Sequence, residues 1–169
     1  MSTIKSAIDT NYIFIEKLRS ILVKLVDDIS VIEMTSNNYD NNNNLIRNKV
    51  PTTTTNLCEI GSYDKICYFV YIIESSSFNY DFLKLIIERY NVHIYGYKNF
   101  NENYYPKKDF DLGKFKEQIK PERYFQIELD FDITAMKPDD IANKYQEVSS
   151  IAKDFKVNIL NQFNLILPV

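Results

Sequence analysis

The stretch Arg123–Thr134, RYFQIELDFDIT, sets Phe125, Ile127, Leu129, Phe131 and Ile133 on one side of an extended chain, and Tyr124, Gln126, Glu128, Asp130 and Asp132 on the other. Period-two alternation of this strictness predicts a strand with one face on a core and one toward water. Pro138 follows, suited to a first helical turn because its missing N–H is one that a helix start leaves unpaired anyway. Asp139 and Asp140 complement the positive end of that helix's dipole. Ile141, Tyr145, Val148, Ala152 and Phe155 carry the helix to about residue 155. Lys156–Leu167, KVNILNQFNLIL, reads as a closing strand bent around Asn161.

A similar unit stands upstream. Lys65–Glu74, KICYFVYIIE, is apolar at both parities, as a central strand covered on both sides would be. Phe78–Tyr90 predicts a helix with Phe82, Leu85 and Ile86 inward, capped by Ser76 or Ser77 and stopped at Asn91. Val92–Tyr97, VHIYGY, predicts a second strand, and residues 98–121 form a polar, aromatic-studded excursion. The order β-α-β-β-α-β predicts an α+β, ferredoxin-like antiparallel sheet over residues 61–169, with both helices on one face. Ile8, Ile15, Leu22 and Ile29 recur every seven residues, with Leu18, Leu25 and Ile32 in the same stripe, so residues 1–34 predict one long amphipathic helix. That helix is the natural cover for the sheet's other face, although its heptads also fit self-association into a homodimer. Residues 35–60 hold TSNNYDNNNNLIRNKVPTTTTN, polar and broken by Pro51, and read as an Asn/Thr-rich linker.

Composition narrows the function by exclusion. At 169 residues the chain is the size of one domain, with no run near the ~20 apolar residues that span a bilayer. The N-terminal Met-Ser-Thr-Ile-Lys leads into alternating polar and apolar residues, not a secretory signal, so a cytoplasmic protein is expected. A net charge of −3 argues against nucleic-acid binding, which needs clustered cations. Tyr104, Tyr105, Phe110 and Phe115, interleaved with Lys107, Lys108, Lys114 and Lys116, are the one stretch that could stack bases along a basic groove. Cys58 and Cys67 lack metal or redox spacing, and Cys67 lies in an apolar run typical of a core thiol.

The carboxylates Glu128, Asp130 and Asp132 are the sharpest chemical feature. With Tyr124 and Gln126 they suggest a solvated, acidic partner-binding face. The alternative is a metal-dependent nucleotidyl-transfer or nuclease-like enzyme on Asp130 and Asp132, because IELDFDI looks like the Asp-x-Asp strand motif of archaeo-eukaryotic primases. Those enzymes need a later histidine and a third acid, whereas His93, the only histidine, comes earlier. A lone strand histidine with no adjacent Ser or Cys motif supports no triad. Gly61, Gly96 and Gly113 are too scattered for a phosphate cradle. No catalytic, cofactor or metal residue is therefore assigned, and a non-enzymatic protein is expected.

The stretch Arg123–Phe163 resembles the RraB family, regulators of ribonuclease E activity. The shared features are the alternating strand Arg123–Asp132, the acid-opened helix at Pro138–Asp140, the helix end Ile151–Phe155 (IAKDF) and a short final strand. Tyr68–Tyr97 matches only in its strand-helix-strand layout, and Asn161, Gln162 and Phe163 stand where that family carries glycine and tryptophan. The resemblance implies a ferredoxin-like, non-enzymatic protein binder. Small acidic chains of this kind also look like immunity proteins of bacterial toxin systems, which offer carboxylates to a basic cleft. The expected partner is a protein with a basic surface, a toxin or a ribonuclease.

Overall fold

The computed structural model describes residues 3–25, 30–39, 45–55, 57–98, 101–105, 111–119 and 124–160. Among these residues four α-helices, α1 (Thr3–Leu22), α2 (Tyr80–Arg89), α3 (Leu112–Ile119) and α4 (Pro138–Asp154), accompany eight strands. These are β1 (Ser30–Tyr39), β2 (Leu45–Thr54), β3 (Glu59–Tyr63), β4 (Ile66–Glu74), β5 (Asn91–Lys98), β6 (Asn101–Tyr105), β7 (Tyr124–Asp132) and β8 (Ile159–Leu160). The fold is α+β, and every strand pair is antiparallel. The sheet runs β1-β2-β3-β4-β7-β5-β6, and β8 pairs with Ile72 and Ile73 of β4 beyond the part that β3 occupies.

Alternation along β4 and β7 sorts the side chains. Cys67, Phe69, Tyr71 and Ile73 face the same way as Phe125, Ile127, Leu129 and Phe131, and all eight join one buried cluster with residues of all four helices. Phe69 meets Phe131 and the edge of Tyr145 from α4, while Phe125 meets Phe78 and Phe115. Tyr90, just after α2, donates its hydroxyl to Glu147 of α4. The helices thus share one side of the sheet, as right-handed crossovers require.

Several expectations fail for identifiable reasons. The helix over residues 1–34 ends at Leu22: Leu25 N–H bonds to Leu22 O in a tightened turn, and Leu25 is 45% exposed. Ile32, the next stripe residue, belongs to β1, and Ile29 lies outside the described residues. Nor does α1 cover the sheet's other face; it packs beside α4 on the helical side. The 35–60 linker is largely strand, since β1 and β2 pair from Ser30↔Thr54 to Tyr39↔Leu45, and Glu59–Tyr63 forms β3. Threonine is β-branched and fits a pleated strand, which a reading of polarity alone discounts. Pro51 sits opposite Glu33, in the part of β2 that β3 leaves unpaired, where a missing N–H disturbs only one ladder.

Smaller departures follow the same logic. The 98–121 excursion contains β6 and α3. The cap of α2 is Asn79, whose Oδ1 accepts Phe82 N–H at 3.0 Å, because Ser75–Ser77 is already a 3-10 turn. Arg89 ends that helix, and Asn91 opens β5 instead of forming a left-handed stop. Strand β8 is two residues long, and the rest of the expected strand to Leu167 lies outside the described residues.

Candidate functional site

With the helices on one side, the opposite parity of β3, β4, β5 and β7 forms a second face. Register places Tyr68 opposite Asp130, Val70 opposite Glu128, Ile72 opposite Gln126 and Glu74 opposite Tyr124. Across β7's other edge stand Asn91, His93 and Tyr95, opposite Asp130, Glu128 and Gln126. The face is mixed: Val70 and Ile72 are buried, while Tyr63 at the end of β3 is 50% exposed.

The three strand carboxylates occupy three different environments. Asp130 is buried, its side chain only 4% exposed, and its Oδ2 lies 2.9 Å from His93 Nε2. Its Oδ1 is buried and accepts no hydrogen bond among the described residues. Glu128 is half-buried directly opposite His93. Asp132 is exposed, and its Oδ1 accepts Thr134 N–H at 2.9 Å and the Thr134 hydroxyl at 2.6 Å. Those bonds hold its carboxyl below the ordinary value. The expectation of one solvated acidic row is therefore corrected: burial and a histidine partner remove Asp130 from it, while Asp132 has a turn to hold. Tyr124 and Gln126 are half-buried on the same face.

What the sheet brings together is His93, Glu128 and Asp130. One ligand atom from each lies within 4.8 Å of the other two. His93 and Glu128 are a directly opposed cross-strand pair, and Asp130 is the diagonal neighbour, so antiparallel register alone accounts for the convergence. With 34 residues between His93 and Glu128, no local spacing links the histidine to the acids. Its alternation with Val92 and Ile94 was the available signal; the pairing of β5 with β7 was not.

The surroundings carry negative potential. Burial first, then the charges of Asp130 and Glu128, push the Tyr63 hydroxyl above its ordinary range. Burial, then Glu59 and Glu128, push Tyr68 up further. On the other side of the sheet, burial raises the Cys67 thiol far enough to leave it un-ionised and inert. Phe115, one of the aromatics considered for base stacking, is buried between Phe78 and Phe125 and is a core residue.

The described chain is thus an antiparallel α+β sheet with helices on one side and a polar His-acid cluster on the other. No protein-family model matches the chain, and no curated protein matches it. Among solved structures it is similar to a conserved hypothetical protein from Pyrococcus furiosus, at 16% identity and a TM-score of 0.60, over 84% of this chain and 89% of that one. That likeness extends to the fold alone. No helix among the described residues is long and apolar enough to cross a membrane.

Proposed function

We propose that the chain is a non-enzymatic protein-binding inhibitor or regulator, acting in the cytoplasm through the sheet face that carries no helix among the described residues. The composition of that face carries the reading. Among its described positions on β3, β4, β5 and β7 stand Glu59, Glu74, Glu128, Asp130, Asp132, the tyrosines Tyr63, Tyr68, Tyr95 and Tyr124, and no Lys or Arg. Tyrosine supplies rigid contact area, and a surface richer in carboxylates than in cations steers a basic partner. Tyr124, Gln126, Glu128 and Asp132 are the contact residues, and the buried Asp130 beside them holds His93.

The neighbour order β8-β4-β7-β5, with α2 and α4 as the intervening helices, supports a ferredoxin-like reading of residues 66–160. It thereby supports the RraB-like and immunity-type readings of the sequence. In both, the partner is a basic ribonuclease or toxin. The Asp130/Asp132 enzyme has less support, because Asp132 lies outside the converging cluster and is engaged by Thr134.

The test begins with recovery of the partner by co-purification from the native host. Its association with wild type is then compared with that of Glu128→Gln/Asp132→Asn across a salt series. The account expects the double variant to associate several-fold more slowly, with a shallower salt dependence. Equal rates at every salt concentration would place the contact elsewhere and end the proposal.

A further inference from the structure

We propose that His93, Glu128 and Asp130 form a binding site for a divalent first-row transition cation of the zinc class. The inference stands whether or not the surrounding face also binds a protein. Three observations carry it.

The first is geometry. One nitrogen and two carboxylate oxygens lie within 4.8 Å of one another. Ligands about 2.0–2.2 Å from a tetrahedral ion stand ~3.4 Å apart, so modest side-chain rotation closes the site without moving a strand. The His93 Nε2–Asp130 Oδ2 separation of 2.9 Å is a hydrogen-bonding contact that opens by about 0.5 Å to admit an ion.

The second is an unmet need. Asp130 is only 4% exposed, and one of its oxygens accepts no hydrogen bond among the described residues, which leaves an acceptor that a cation would satisfy. His93 approaches Oδ2 and leaves Oδ1 open. No Lys or Arg occupies a described position on this face of β3, β4, β5 or β7. A cation held between Oδ1, Glu128 and His93 Nε2 satisfies the stranded oxygen.

The third is donor chemistry. Mg²⁺ and Ca²⁺ take six or more oxygens, which three residues including an imidazole do not supply. One imidazole with two carboxylates suits Zn²⁺, Co²⁺ or Mn²⁺, in the three-ligand pattern that keeps a position open. His93 is 30% exposed at the rim, so both entry and the open position face outward. The thiol of Cys67 lies on the helical side of β4 and takes no part.

Titration of the full-length chain with ZnCl₂, followed by calorimetry and native mass spectrometry, tests the site. CoCl₂ serves as a spectroscopic probe. One ion per chain is expected, with a Co²⁺ spectrum free of thiolate charge transfer. Loss of a direct ligand in His93→Gln or Glu128→Gln should weaken binding by about 100-fold or more, beyond the cost of outer-shell changes. Asp130→Asn should do the same. If that buried variant fails to fold, the other two, at less buried positions, decide the question. Asp132→Asn, outside the cluster, should bind as wild type does. Zinc should raise the melting temperature of wild type and leave that of folded His93→Gln unchanged. No binding by wild type, full affinity in His93→Gln, or a cobalt–thiolate band would each overturn the assignment.

Discussion

Gly61 illustrates how one residue shapes the tyrosine-rich face. It lies directly opposite Tyr68, and a Cβ placed on it would stand 2.8 Å from that ring's Cε1 and closer still to its outer end. The glycine is there for space: its φ is not positive. Gly61→Ala should displace the Tyr68 ring and cost about 1 kcal/mol, the lower range for overpacking, because a ring end can yield where backbone cannot. In Gly61→Ala/Tyr68→Ala the two costs should fall short of additivity, as denaturant midpoints will show. Asp132 makes a pH statement at the same scale. Its Thr134 bonds depress the folded carboxyl below the ordinary 3.8, so its contribution is present above that value and fades as pH falls through the lower folded one. Asp132→Asn should therefore lower stability modestly near neutrality, where that contribution is present, and flatten the acid limb below about pH 4, where wild type loses it. An unchanged acid limb would mean that the Thr134 bonds do not favour the charged form.

Elements differ in how clearly sequence specifies them. Strand β7 and helix α4 were legible because periodicity, proline and acidic first turn agree, and Pro138–Asp154 is the observed helix. Helix α1 was legible only as far as Leu22. The heptad stripe continues, but Ile15, Leu18 and Leu22 are buried while Leu25 faces water. Leu18→Ala should cost 2–5 kcal/mol in urea denaturation and Leu25→Ala less than about 0.5, whereas a heptad seam through both would equalise them. The β1–β2 hairpin was not legible, since Asn and Thr runs signal loops by polarity while threonine's branching favours strands. The candidate site was half legible: Glu128 and Asp130 stand out in the alternation, but their union with His93 needs β5 to pair with β7. Asn79, a cap read too early in the Ser75–Ser77 run, should cost about 1 kcal/mol as Asn79→Ala.

At the scale of the whole molecule, the described helices and the buried cluster lie on one side of the sheet and an acid-tyrosine face on the other. Helix α1 belongs to the folding side, because Phe14, Ile15, Leu18 and Leu22 enter the same buried cluster as α4 and the strands. Each such residue contributes about 1.5–3 kcal/mol of burial, so removing residues 1–25 should consume most of a typical 5–15 kcal/mol stability. Circular dichroism of the truncated chain should show loss of cooperative unfolding; a stable, folded monomer would support a detachable oligomerising helix instead. The central claim, that the face of β4, β5 and β7 away from the helices is the working surface, is tested most directly by hydrogen exchange of the full chain. Exchange would be followed free and then bound to the partner recovered from native cells. Amides of the β3–β4 turn and the β7–α4 turn, which flank the exposed Tyr63 and Asp132, should gain protection, while α2 and α3 exchange as before. Protection confined to α2 and α3, with those two turns unchanged, would contradict the account.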